Sequence, residues 1–221
     1  GHFRIDLAVK WVEKKPDGLL IHSRYGALYL RPVMEDMIRV TFTRAGTVGR
    51  QNPSVFSPAR PCAWMYQASG SRIELSTDEL HLSVDKMNGN ICYMTRDKKI
   101  LLTERSRECR QIEPGTAGRA RAWVYFDWVK GESLQAFGTG RKPVIEMSGS
   151  ARYFSGSGRR EHSHGNPLPL MVSGRGYAIM MGSEDPAMCC NIASYGSYLY
   201  TESAAQIDFY FMLPKAASKQ Q

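Results

Sequence analysis

The chain has 221 residues, 43% hydrophobic and 10% aromatic, too apolar for a disordered segment and long enough to bury a core within one all-β domain. Its formal charge of +8 arises from 29 Lys and Arg against 21 Asp and Glu without a block of five like charges, so it bears on solubility more than on a nucleic-acid partner. No apolar run approaches the roughly 20 residues of a membrane helix, and the start, GHFRIDLAVKW, lacks the basic-then-apolar build of a secretory leader.

From the N-terminus, the first clear signal is IRVTFTR, where Ile38, Val40 and Phe42 share one strand face opposite Arg39, Thr41 and Thr43. The stretch 44–61, RAGTVGRQNPSVFSPARP, is the longest irregular segment and is expected at the surface. LHLSVDKMNGNICYMTRDKKILL reads as a three-stranded meander. Leu80, Leu82 and Val84 line one face of its first strand, Asn88-Gly89 supplies the positive φ of a hairpin, and Asp97-Lys98 marks the next turn.

RAWVYFDWV (121–129) is predicted as an aromatic strand, YAIMMG (177–182) as another, and ASYGSYLYTE (193–202) as a hairpin about Gly196. QIDFYFML places Ile207, Phe209, Phe211 and Leu213 on one face. No segment of ten residues carries a 3.6-residue period; TESAAQI is short and is ended by the strand that follows it. The expected fold is all-β, a large antiparallel β-sandwich with little helix, spanning 1–221 as a single domain.

Five cysteines, Cys62, Cys92, Cys109, Cys189 and Cys190, include no C-x-x-C spacing. They read as reduced packing residues, which favours a reducing compartment and a cytoplasmic location.

The densest chemistry lies in SGSGRREHSHGNPLPL, 155–170. Glu161, His162 and His164 are metal-ligand types, but no second His or Cys cluster supplies further ligands, so no metal is expected. Nucleic-acid binding would need basic residues interleaved with exposed aromatics. Trp123, Tyr125, Trp128, Tyr195, Tyr198 and Tyr200 instead lie in strand patterns, where such residues fill a core or pair across a sheet. There is no G-x-S-x-G and no P-loop, and GTGR (138–141) lacks a strand-to-helix setting. Glu146, Glu161, Glu184 and Asp185 are carboxylates that sequence alone cannot place across a substrate. No catalytic set and no cofactor motif emerges.

Three stretches, taken in order, resemble the N-terminal β-sandwich of glycoside hydrolase family 31, the α-glucosidase and α-xylosidase family. LHLSVDKMNGNICYMTRDKKILLTE is similar to its strand-turn-strand segment, ESLQAFGTGRK to its E-x-LYGLGE signature, and NPLPLMVSGRGYAIMMGS to its segment ending in GYGif-d. AQIDFYFMLPK is similar to the strand that closes the domain. The similarity covers about residues 36 to 215.

In that family the sandwich is galactose-mutarotase-like and packs on a (β/α)8 barrel, which carries the aspartate nucleophile and the acid-base carboxylate of a retaining mechanism. The resemblance therefore implies a non-catalytic domain, inactive alone, in a parent α-glycosidase whose barrel would follow it. Its implied partners are that barrel and, through the parent enzyme, an α-linked glucoside or xyloside oligosaccharide, with no nucleic acid and no membrane. The family's GLGE reads Gly138-Thr139-Gly140-Arg141 here, and its Trp-Asn-x-Asp element is replaced by RREHSHGN.

In the family this loop reaches the rim of the sugar site. Arg159, Arg160, His162, His164 and Asn166 are accordingly expected to face the substrate entrance, donating to sugar hydroxyls or meeting a barrel carboxylate. A contact with the barrel alone is the open alternative for these five. Two rival functions stand beside this one: a free-standing carbohydrate-binding sandwich, and an aldose-epimerase-like enzyme using His162 and Glu161.

Overall fold

The computed structural model describes residues 5–117, 119–136, 144–147, 168–192, 196–203 and 206–214. The chain opens with β1 (Trp11–Lys15), β2 (Gly18–His22), β3 (Gly26–Met34) and β4 (Met37–Arg44), an antiparallel run with short turns. The next five strands are β5 (Met65–Ala68), β6 (Arg72–Ser76), β7 (Leu80–Asp85), β8 (Ile91–Thr95) and β9 (Ile100–Thr103). They are followed by β10 (Arg110–Pro114), β11 (Ala120–Tyr125), β12 (Leu134–Ala136) and β13 (Val144–Met147). The last five are β14 (Leu170–Ser173), β15 (Ala178–Met181), β16 (Ala187–Ile192), β17 (Gly196–Ser203) and β18 (Gln206–Met212).

These strands form an eight-stranded sheet in the order β1-β2-β3-β4-β18-β15-β14-β12 and two five-stranded sheets, β10-β11-β17-β16-β13 and β5-β6-β7-β8-β9. Among the described residues there is no helix, as the patterning predicts, and the all-β sandwich is the architecture found.

One apolar cluster joins the inner face of the large sheet to both smaller ones. Leu28, Leu30, Ile38, Val40, Phe42, Ile207, Phe209 and Phe211 enter it from the large sheet, Leu82 and Tyr93 from the meander, and Ala122, Val124 and Leu199 from the third sheet. Phe211 lies between two aromatic rings, Tyr93 at 4.2 Å and Tyr177 at 5.2 Å between centroids.

The meander forms as read. Gly89 adopts φ +72, and a Cβ there would fall 2.2 Å from the Leu7 carbonyl oxygen, so both conformation and space demand glycine. Asp85 shapes the turn before it, its Oδ1 accepting from the amides of Met87 at 2.8 Å and Asn88 at 3.1 Å.

Three expectations change. The 44–61 segment is not all surface, because Val55 and Phe56 are 6% and 3% exposed and cap a second apolar cluster on the other face of the large sheet. That cluster contains Leu168, Leu170, Met180, Tyr210 and Met212, so β18 is buried on both faces rather than alternating with solvent. The hairpin about Gly196 is made by β16 and β17, with AMCCNI as its first strand. Within RSRECR (105–110), Arg110 is 2% exposed and donates through Nη1 to Glu104 Oε1 at 2.6 Å. Burial pushes the Glu104 carboxyl above its usual range, against the pull of Arg110 and of the Ile91 amide that Glu104 also accepts.

The strand aromatics also settle differently from a core. Trp123 and Tyr125 of β11 face Tyr200 and Tyr198 of β17 across the outer, half-exposed side of their sheet, with centroids 5.3 Å and 5.7 Å apart. They pair across the sheet.

Candidate functional site

The five residues expected at a substrate entrance, Arg159, Arg160, His162, His164 and Asn166, lie outside the described residues, as do Glu161 and the 138–141 GTGR. The structure does describe the frame from which that stretch departs and to which it returns. The chain leaves the large sheet after Ala136 and forms β13 at the edge of the β10-β11-β17-β16-β13 sheet. It rejoins the large sheet at β14. β12 is an edge strand too, and the strands that flank 148–167 in sequence belong to different sheets: β13 is the edge of one, and β14 lies one strand in from the edge of the large one.

A buried carboxylate locks the β12–β14 end of this frame. The Glu132 side chain is fully buried. Its Oε2 accepts the Ser173 hydroxyl at 2.7 Å and the Tyr177 phenol, and its Oε1 accepts the Val129 amide at 3.3 Å. Arg175 Nε stands 3.9 Å from Oε1 and donates to the Leu101 carbonyl at 3.3 Å, while its Nη2 donates to Ile100 at 2.7 Å. Burial pushes the Tyr177 phenol far above its usual range, and the hydrogen bond to the Glu132 anion adds to that.

The β14–β15 turn explains how one carboxylate collects these donors. Gly176 has φ +95, a conformation other residues rarely adopt, and its amide donates to the Ser173 carbonyl at 3.1 Å. This turn brings Ser173 and Tyr177 to the same side, and the Gly174 amide ties it to the Ser133 carbonyl at 2.8 Å. Two stretches separated by some 40 residues in sequence, ESLQAF and MVSGRGYAIM, therefore meet in one hydrogen-bonded knot. Glu132 is saturated with donors and shut from solvent, which suits it to support and leaves it no free face for proton transfer.

A second knot holds the 44–61 segment to the same layer. Arg39 Nε and Nη2 bind Asp208 Oδ1 and Oδ2 at 2.9 and 2.8 Å, and Asn52 Nδ2 reaches Oδ2 at 2.8 Å. The Arg39 and Asp208 side chains are only 6% and 5% exposed. Asp185, one of the carboxylates considered for acid-base work, pairs with Arg50 and accepts the Ser183 hydroxyl at 2.6 Å. The roles of Glu132, Arg39 and Asp208 were missed by sequence reasoning. For Arg39 and Asp208 the available signal was a charged residue inside a strand with apolar neighbours on both sides; Glu132 precedes β12 and carried no such signal.

Among the described residues, no three His, Cys, Asp or Glu side chains cluster as a metal site. None of the five cysteines is in a disulfide, and burial pushes the Cys109 and Cys189 thiols up to about 12.

No protein-family model matches the chain, and no curated protein matches it in sequence. Solved structures do. A glycoside hydrolase family 31 α-xylosidase from a soil metagenome, complexed with xylose, superposes with a TM-score of 0.70 at 15% identity, over 94% of this chain and 33% of that one. A family 31 dextranase of Flavobacterium johnsoniae, complexed with isomaltotriose, gives 0.67 at 14%, over 97% and 27%. The cycloalternan-forming enzyme of Listeria monocytogenes, with its pentasaccharide substrate, gives 0.66 at 13%, over 96% and 21%. The chain spans about a third or less of these proteins and has the fold of one part of them. Two of these neighbours carry the name of the family that its three stretches resemble.

Proposed function

We propose that the chain is the non-catalytic N-terminal β-sandwich of an α-glycoside hydrolase, supporting a catalytic barrel and lending the 148–167 stretch to the rim of its sugar site. The observation that carries this reading is the asymmetry of coverage. The fold match takes in 94% of this chain but only 33% of an α-xylosidase.

The knots around Glu132 and Asp208 support the same role. They spend buried charges on holding strands and segments together, which is what a rigid platform for a substrate-facing loop requires. Arg159, Arg160, His162, His164 and Asn166 then touch substrate hydroxyls or the barrel, and five cysteines outside any disulfide fit a reducing compartment. The substrate class is an α-linked glucoside or xyloside oligosaccharide.

Alanine substitution of His162 and His164 in the longer protein that carries this chain tests the loop's role. A rise in KM with kcat kept marks contact with substrate. Unchanged KM and kcat, with weaker docking of the sandwich, would assign the loop to the barrel alone.

A further inference from the structure

On the far side of the third sheet from β13, the β10 edge borders a hollow of about 960 Å³. That is the size of a generous small-molecule pocket. Charge is its dominant feature. Arg24, Arg44 and Arg107 line it together with Asp6, Glu108 and Glu113, three cations against three anions.

The floor is fixed. Arg44 Nη1 donates to the Ile112 carbonyl at 3.0 Å and its guanidinium lies 5.2 Å from the Tyr25 ring centre. The Tyr25 hydroxyl donates to the same carbonyl at 2.9 Å. Glu113 is engaged by Arg121 at 3.4 Å and by the Gln111 amide.

The rim is open by contrast. The side chains of Arg24, Asn88, Ser106 and Arg107 bond to no other described residue. Glu108 is held at φ +48, a left-handed conformation that costs a non-glycine residue, in a turn braced by Arg105 through the carbonyls of Arg107 at 2.6 Å and Glu108 at 3.1 Å. A strained backbone at Glu108 and the unpartnered guanidiniums of Arg24 and Arg107 line one cavity, an arrangement that folding alone does not explain.

Gln111 connects this hollow to the aromatic side of its sheet, because Gln111, Trp123 and Tyr200 lie in register across β10, β11 and β17. We propose that the hollow, with the aromatic surface adjoining it, binds a neutral oligosaccharide, its hydroxyls met by Arg24, Arg107 and Glu108 and an apolar sugar face laid on Trp123. Balanced donors and acceptors suit hydroxyls, which both donate and accept. They disfavour a polyanion, since Asp6, Glu108 and Glu113 would repel phosphates in the same hollow. The choice of a sugar among neutral polyols rests on the glycosidase reading above; the site itself is separate from any barrel.

The test is calorimetric titration of the 221-residue chain with isomaltotriose and maltotriose, with a short oligonucleotide and inorganic phosphate as counter-probes. Saturable binding with a Kd of order 1 mM is expected, insensitive to added salt. Arg107→Ala and Glu108→Gly should each weaken it about tenfold or more while melting no lower than the parent chain, a loss of about 1.4 kcal/mol. Absence of sugar binding at about ten times that concentration, full binding in both variants, or preference for phosphate or the oligonucleotide would overturn the proposal. None of these results touches hydrolysis by the longer protein, so the two readings fail separately.

Discussion

The two sides of this sandwich handle charge in opposite ways. Around β12, β14 and β18, Glu132 and Asp208 are buried and every oxygen that approaches a donor is used to tie strands or segments together. Around β10, Arg24 and Arg107 stand at a cavity mouth without a bonded partner among the described residues, and Glu108 keeps a strained backbone. The contrast separates two uses of the same residue types. A saturated buried charge holds a frame, and an unsaturated one at a cavity is free to meet something else.

Substitutions on the first side should cost stability and those on the second should not. Asp208→Ala has the largest expected effect, about 4 kcal/mol in urea unfolding, because it strands the buried Arg39 guanidinium. Glu132→Ala comes next at about 3 kcal/mol, leaving the Ser173 and Tyr177 hydroxyls buried without their acceptor. Glu108→Gly should instead stabilise by about 1 kcal/mol, through relief of its left-handed conformation. Arg107→Ala should lie within about 0.5 kcal/mol of the parent. Equal losses on both sides would erase the distinction.

Alkaline pH offers a finer probe of the first side. The Tyr177 phenol is raised in the folded state by burial and by Glu132, so the folded protein keeps a proton that the unfolded chain gives up near pH 10. Its contribution is fully present below that pH and is lost as pH rises beyond it, by up to about 1.4 kcal/mol per unit. Tyr177→Phe should start less stable at neutral pH and then fall less steeply above pH 10 than the parent chain. A parallel slope in the two proteins would mean that Tyr177 ionises as freely folded as unfolded.

Much of the architecture was legible because its signals are local. Asn88-Gly89 announces a turn through backbone conformation, and Ile38, Val40 and Phe42 announce a buried face through period two. The second apolar cluster was hidden for a physical reason. Alternation reveals one buried face and treats the other as solvent, so Arg39 and Thr41 read as an outer face until Val55, Phe56 and Asn52 were seen to close over it. In the same way, Trp123 and Tyr200 carry the composition of core residues, and only strand register shows that they pair on the outside.

The candidate site was legible in a different sense. ESLQAF and the stretch around SGRGY were singled out as motifs, but nothing in the spacing of Glu132, Ser173 and Tyr177 foretells that they share one carboxylate. That contact depends on the pairing of β12 with β14, which brings distant segments together. The hollow beside β10 was not legible at all. Its residues come from six separate stretches, 5–7, 24–25, 44–45, 87–88, 106–108 and 111–113, which only the fold brings together.

The most direct measurement is hydrolysis of 4-nitrophenyl α-glucoside and α-xyloside by the 221-residue chain alone and by the same chain joined to the catalytic barrel proposed for it. A supporting domain predicts no turnover by the chain and turnover only with the proposed barrel. Turnover by the isolated chain, abolished by His162→Ala, would contradict a non-catalytic sandwich and place the chemistry within these residues.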